Sequence, residues 1–228
     1  MNWFTNFLTS SIGRKLIMSL TGLFLISFLI VHLAGNLQLL KDDGGQAFNV
    51  YAKFMVSNPL IKTISIGLYA MILLHAVLGV LLWLKNRAAK GTDTAVGYRS
   101  EKVSWTSKNM ALLGILVFAF LCIHMGDFWF KMKFGSVDMV NYGEGEIKDL
   151  YAKVQASFSQ WYIVGIYIVG VVALGAHLWH GFESAFQTLG LNHNKYTPLI
   201  KKIGKGFSVI ISIGYLILPI YFKLFLTA

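Results

Sequence analysis

The chain has 228 residues, 56% of them hydrophobic and only 13% charged, with a mean hydropathy of +0.61, and this excludes an ordinary soluble domain of its length. The formal charge of +10 does not point to nucleic acid: the Lys and Arg residues sit in short stretches between apolar runs, with no basic face and no interleaved aromatic motif, as topology determinants do. A single cysteine, Cys122, excludes an intrachain disulfide and a cysteine-based metal site and is read as a small packing residue.

A helix crossing hydrocarbon needs about 20 mainly apolar residues, because unsatisfied backbone groups are too costly there. The first such segment runs roughly from 16 to 38 and carries His32. It is longer than the apolar stretch of a signal peptide, roughly 7 to 15 residues, and lacks a small-x-small cleavage site, so it is expected to be retained. The second segment, roughly 60 to 84, carries His75. A polar surface loop is expected from Thr92 to Ser107. His124 lies in the third segment, roughly 109 to 131, after which Ser136 to Ser157 is expected to form a short amphipathic helix outside the bilayer. The fourth, roughly 160 to 184, holds His177 and His180, and the fifth, roughly 206 to 226, holds no histidine. The expected fold is therefore all-α, a single polytopic membrane domain over residues 1–228 with five transmembrane helices. Trp3, Trp83, Trp105, Trp129, Trp161 and Tyr162 fall near the segment ends, where interfacial aromatic belts form.

A cytoplasmic N-terminus would gather Arg14, Lys15, Lys85, Arg87, Lys90, Arg99, Lys102, Lys108, Lys195, Lys201, Lys202 and Lys205 inside, twelve of the twenty basic residues. Asp42, Asp43, Asp138, Glu144, Glu146 and Asp149 would lie outside, beside lysines such as Lys41, Lys53, Lys62, Lys131 and Lys133. The positive-inside rule thus favours a cytoplasmic N-terminus and an external C-terminus.

One histidine in each of the first four spans is a functional signal, since an ionisable residue at that depth is expensive. The alternative for any single one is a histidine bonded to a neighbouring helix. An internal repeat strengthens the signal. Gly22 precedes His32 by ten residues, and Gly114 precedes His124 by ten. Gly79 follows His75 by four, and Gly181 follows His177 by four. Four residues make about one turn, so each of these latter glycines leaves space beside its histidine, as a flat macrocycle requires.

At a rise of about 1.5 Å per residue, His32 lies about 26 Å beyond Lys15 and His124 about 24 Å beyond Lys108, whereas His75 lies only about 15 Å from Lys85 and His177 about 9 Å from Glu183. The histidines therefore form two pairs at two depths. Two neutral imidazoles facing across a bundle are what a six-coordinate haem b needs, so the expectation is two haems b with His32, His75, His124 and His177 on iron and a haem-binding bundle formed by the first four helices. Zinc or a di-iron centre would want carboxylates or histidines clustered at one depth, and the spans offer little beyond Asp127 and Glu183. His180, about one turn from His177, is the alternative fourth ligand, while His193 lies in a polar loop. Arg14, Lys15 and Ser19, with Lys41 or Lys131 at the other end, are candidates to meet haem propionates, against the simpler role of snorkelling or topology charges.

In order and spacing these features resemble the dihaem cytochrome b membrane-anchor subunit of succinate dehydrogenases and fumarate reductases, the single-polypeptide, five-helix type. The resemblance spans Arg14 to about Tyr221 and rests on the four histidines, on His32-Leu-Ala-Gly-Asn36, on the Ala47-Phe48-Asn49 loop and on the His177–Phe182 segment. It implies that His32 and His124 hold a distal haem and His75 and His177 a proximal one. It also implies a flavoprotein and an iron–sulfur subunit on the cytoplasmic face of a bacterial inner membrane and electron transport to a quinone such as menaquinone; the sequence does not fix the oligomeric state and leaves a higher oligomer of the complex open. Gly175 departs from fumarate-reducing members that carry a glutamate two residues before the fourth ligand, which favours succinate oxidation. Asn36, Asn49 and Lys53, with Asp127 three residues beyond His124, mark the region expected to meet quinone. The cytochrome b subunit of a hydrogenase or formate dehydrogenase is an alternative, and a transporter with midplane histidines another, though the acidic relay residues of the latter are missing.

Overall fold

The computed structural model describes residues 2–90, 104–143 and 145–226. Arg99, Lys102, Glu144 and most of the loop expected from Thr92 to Ser107 lie outside the described residues.

Among the described residues, five helices are long and apolar enough to cross a membrane: Ser11–Leu40, Pro59–Ala89, Met110–Phe134, Trp161–Thr188 and Thr197–Leu226. The protein is an all-α polytopic membrane protein. Its elements are α1 (Trp3–Thr9), α2 (Ser11–Asn36) with a 3-10 turn at Leu37–Leu40, α3 (Gln46–Ser57), α4 (Pro59–Lys90), α5 (Trp105–Lys108) and α6 (Met110–His124). A π-helical turn at Met125–Phe130 leads into α7 (Lys131–Phe134), followed by β1 (Met139–Asn141), β2 (Glu146–Lys148), α8 (Leu150–Phe158), α9 (Trp161–Thr188) and α10 (Thr197–Tyr221), which closes in a second π-helical turn at Phe222–Leu226.

The spans outrun the apolar stretches because polar caps set their ends. Ser10 Oγ accepts from the Gly13 N–H at 2.9 Å and starts α2 five residues before the apolar run expected from 16. Pro59 opens α4 at the first helical position, where its missing N–H is harmless, and Asn58 Oδ1 accepts from the Leu60 and Ile61 N–H groups at 3.0 and 3.2 Å.

Two connections differ from expectation. Ala47, Phe48 and Asn49 lie in a helix, α3, because Gly44 and Gly45 turn the chain at φ +64° and +86°, a backbone that side chains resist. Ser136–Ser157 is not one helix: its first half is an antiparallel ribbon pairing Met139 with Lys148 and Val140 with Ile147. The helix begins only at Leu150, where Asp149 Oδ1 accepts from the Ala152 N–H at 2.9 Å. Together α3, the ribbon and α8 cover one end of the bundle.

Helix α9 is central, packed against α10, α6 and α2, while α4 leans on α2 and α6. Gly204, Ser208 and Ser212 follow one another at one-turn spacing on α10 and let it approach α9 closely. Ser208 Oγ donates to the Gly175 carbonyl at 2.6 Å, and a Cβ at Gly175 would stand 2.3 Å from Ser212 Oγ. Any side chain at 175 would have to displace Ser212. Leu39, Val154, Phe158, Val164, Tyr167, Leu218 and Phe222 form the main core beneath the cap, and Leu33, Leu178 and Ile211 a smaller one. Large apolar side chains such as Ile66, Ile210 and Val169 point outward, as lipid-facing residues do.

Candidate metal centre between the helices

The four span histidines meet in two pairs. His32 of α2 and His124 of α6 face each other with ring centroids 5.8 Å apart, and His75 of α4 and His177 of α9 with centroids 6.3 Å apart. His177 is thus the ring opposite His75. His180 lies one turn along α9, and His193 is satisfied in its loop, accepting from the Lys195 N–H at 3.1 Å, with its ring 5.4 Å from that of Tyr196.

Three helices give the separation of the two pairs. On α2, Thr21 touches His75 and lies eleven residues from His32; on α6, Gly114 lies beside His177, ten residues from His124; on α9, Tyr167 touches His124, ten residues from His177. At about 1.5 Å per residue each count gives roughly 15 Å along the bundle.

The surroundings of the pairs differ. Aromatic rings wall the first pair: Phe28 stacks on His32 at 5.1 Å, Tyr215 lies 5.9 Å from it, and Phe120, Phe128 and Tyr167 stand 5.5 to 5.9 Å from His124. Tyr167 Oη lies 3.0 Å from His124 Nδ1. The Asn36 amide nitrogen lies nearly equidistant from both ring nitrogens of His32, at 3.3 and 3.4 Å, while donating to the His32 carbonyl at 2.7 Å.

Small residues flank the second pair. A Cβ at Gly22 would stand 3.3 Å from His75 Cε1, and one at Gly114 would stand 3.6 Å from His177 Cε1. Gly79 and Gly181 each face a methionine methyl, Met18 and Met110, at 3.4 Å from the same ideal Cβ. The sequence repeat is therefore a repeat of contacts: each glycine that precedes a histidine of the first pair adjoins a ring of the second. Thr21 Oγ1 lies 3.1 Å from His75 Nδ1, and His177 Nδ1 is buried with no hydrogen-bond partner among the described residues.

A metal bound between two imidazoles at about 2 Å on each side, with each ring centre about 1 Å further back, requires centroids roughly 6 Å apart. Both pairs match this separation. Among the described residues no three His, Cys, Asp or Glu side chains cluster as a metal site. The donor set is two histidines per centre, which suits haem iron and not a tetrahedral ion.

The other predicted residues fall in different places. Arg14 is half-buried and Lys15 exposed in the first turns of α2, and Ser19 is buried with its hydroxyl donated to the Lys15 carbonyl at 3.0 Å. Lys53 is exposed on α3, and Lys41 is exposed beyond the 3-10 turn. Asn49 is 1% exposed, and its side chain is engaged within the protein: Nδ2 donates to Tyr142 Oη and Asp149 Oδ1 at 3.0 and 2.9 Å, and Oδ1 accepts from the Tyr151 N–H at 2.9 Å. It ties α3 to the ribbon and α8, which removes it from the groups free to meet quinone. Asp127 sits in the π-helical turn, accepting from Lys131, Lys153 and Ser157 at 2.8, 2.9 and 2.8 Å. Lys153 also donates to Ser157 and lies 4.9 Å from the Phe128 ring. No sequence signal marked Thr21, Tyr167 or Lys153, because each contributes from a helix distant in the chain.

Comparison with known protein families, with curated proteins and with solved structures gives no match.

Proposed function

We propose that this protein is the membrane-anchor cytochrome b subunit of a succinate:quinone oxidoreductase. In this role it passes electrons between an iron–sulfur subunit and quinone through two haems b, one between His32 and His124 and one between His75 and His177. The observation that carries the haem assignment is the pair of facing imidazoles at each of two depths, at a separation suited to a shared metal. His32 with His124 and His75 with His177 would hold the haems, which would supply one-electron transfer. The chain's part is to hold four neutral imidazoles, to exclude water with the aromatic wall around His124, and to offer Arg14 and Lys15 at the bundle end nearer the second pair as partners for anionic groups.

Succinate as electron donor rests on the resemblance of the histidine order and of the segments around His32 and His177. The same resemblance, with the distribution of Lys and Arg, supports a bacterial cytoplasmic membrane, a cytoplasmic N-terminus, and flavoprotein and iron–sulfur partners on that side. A cytochrome b of a hydrogenase or formate dehydrogenase would be distinguished by the subunits that copurify with it.

The test is the reduced-minus-oxidised spectrum of the complex purified from its native membrane, with and without succinate. Two low-spin haems b reduced by succinate are expected. Replacing His32 or His124 by alanine should remove one haem, and replacing His75 or His177 the other. A folded complex without haem would overturn the proposal.

A further inference from the structure

Thr21 and Leu113 occupy matching places, each the residue before the glycine that adjoins a ring of the second pair. They differ in one respect that matters to an imidazole: Thr21 carries a hydroxyl and Leu113, 4% exposed, does not.

A hydroxyl has one proton and two acceptor lone pairs. Thr21 Oγ1 lies 2.9 and 3.0 Å from the Ile17 and Met18 carbonyls of its own helix, which can only accept, so its proton is committed there. Towards His75 Nδ1 at 3.1 Å it can therefore only accept. A neutral imidazole has a single N–H, so a proton on Nδ1 leaves Nε2 bare as a ligand. Across the pair, His177 Nδ1 is buried with no hydrogen-bond partner among the described residues, and the residue that matches Thr21 in the repeat is the apolar Leu113.

We propose that Thr21 is a positioning residue that holds His75 in the Nδ1–H tautomer with Nε2 free, and that its hydroxyl makes His75 the stronger donor of an unequal ligand pair. This rests on the haem assignment above. A hydrogen bond given by the far nitrogen raises the basicity of a metal-bound imidazole, so it favours the oxidised metal. Loss of that bond should move one haem toward reduction and leave the other where it was.

The experiment compares Thr21→Val, Thr21→Ser and Leu113→Thr in the intact complex by redox titration and by electron paramagnetic resonance of the ferric haems. T21V should shift the reduction equilibrium of one haem by about tenfold toward the reduced form, equivalent to about 59 mV for one electron, with T21S at the wild-type value. L113T, by giving His177 an acceptor, should move the same haem the opposite way. Loss of that haem in T21V with retention in T21S would support the same role. Unchanged potentials and spectra in T21V, or T21S behaving as T21V, would overturn it. Nitrogen-15 spectra of the histidine-labelled full chain without haem separate this idea from the haem assignment. A His75 protonated at Nδ1 in the wild type, with that preference lost in T21V, supports the positioning role even if the native complex proves haem-free. A His75 protonated at Nε2 in the wild type overturns it.

Discussion

The two histidine pairs are drawn from different helices of one bundle, α2 with α6 and α4 with α9, and lie in unlike surroundings. Beneath the cap, His32 and His124 stand among Phe28, Phe120, Phe128, Tyr167 and Tyr215, next to a core that includes Phe158 and Phe222. Toward the other end, His75 and His177 lie among glycines, methionines and one hydroxyl. A repeated backbone frame fixes where rings meet, and the side chains filled in around it decide how rigidly they are held and what their nitrogens touch.

The largest effect that would test this contrast is at Phe222, which is fully buried and packs against Phe158 and Tyr151 with centroids 6.1 and 5.5 Å away. Phe222→Ala should cost about 3 to 5 kcal/mol, measured by unfolding in detergent, and should disturb the spectrum of the His32–His124 centre before that of His75–His177. Equal disturbance of both would mean that the cap supports the whole bundle. Next comes Asn49→Ala, which strands the Tyr151 N–H and loosens Asp149, at about 1 to 3 kcal/mol. Limited proteolysis of the α3 and ribbon region should accelerate in that variant while the second pair is unchanged.

A finer probe lies at the other end. An added methyl at Gly22 would meet His75 at 3.3 Å, closer than ordinary contact, whereas at Gly114 the distance to His177 is 3.6 Å. Gly22→Ala should therefore shift the resonance signature of the His75–His177 centre more than Gly114→Ala, with neither affecting the capped pair. The smallest effect is expected at Lys131, whose side chain is 54% exposed in its pair with Asp127. Lys131→Ala should change stability by less than about 1 kcal/mol, since exposed ion pairs contribute little and Lys153 still holds the carboxylate.

Features that can be counted along one helix were legible in the sequence. Hydropathy marked five spans, and the intervals Gly22–His32, Gly114–His124, His75–Gly79 and His177–Gly181 marked a repeat. The start of α2 was placed five residues short because Ser10 caps a polar turn ahead of the apolar run. Helix α3 was hidden because Ala47, Phe48 and Asn49 follow two glycines, which on their own signal a turn. The ribbon was hidden because strands of three residues carry too little alternation to be recognised. Thr21 and Tyr167 are ordinary span residues until α4 and α6 are placed beside them. Asn49 had the composition of a ligand-binding group and turned out to be a tie within the cap, since its partners Tyr142, Asp149 and Tyr151 arrive from 93 to 102 residues away.

The π-helical turn at Met125–Phe130 has one further consequence. Each of its turns takes about one residue more than an α-helical turn, so the residues beyond it are rotated out of phase with those before. His124 can then face the bundle while, only a few positions on, Asp127 reaches Lys153 in α8 and Trp129 donates to Tyr69 of α4 at 2.7 Å. The bulge acts as an angular offset written into a single span, letting one helix address three neighbours.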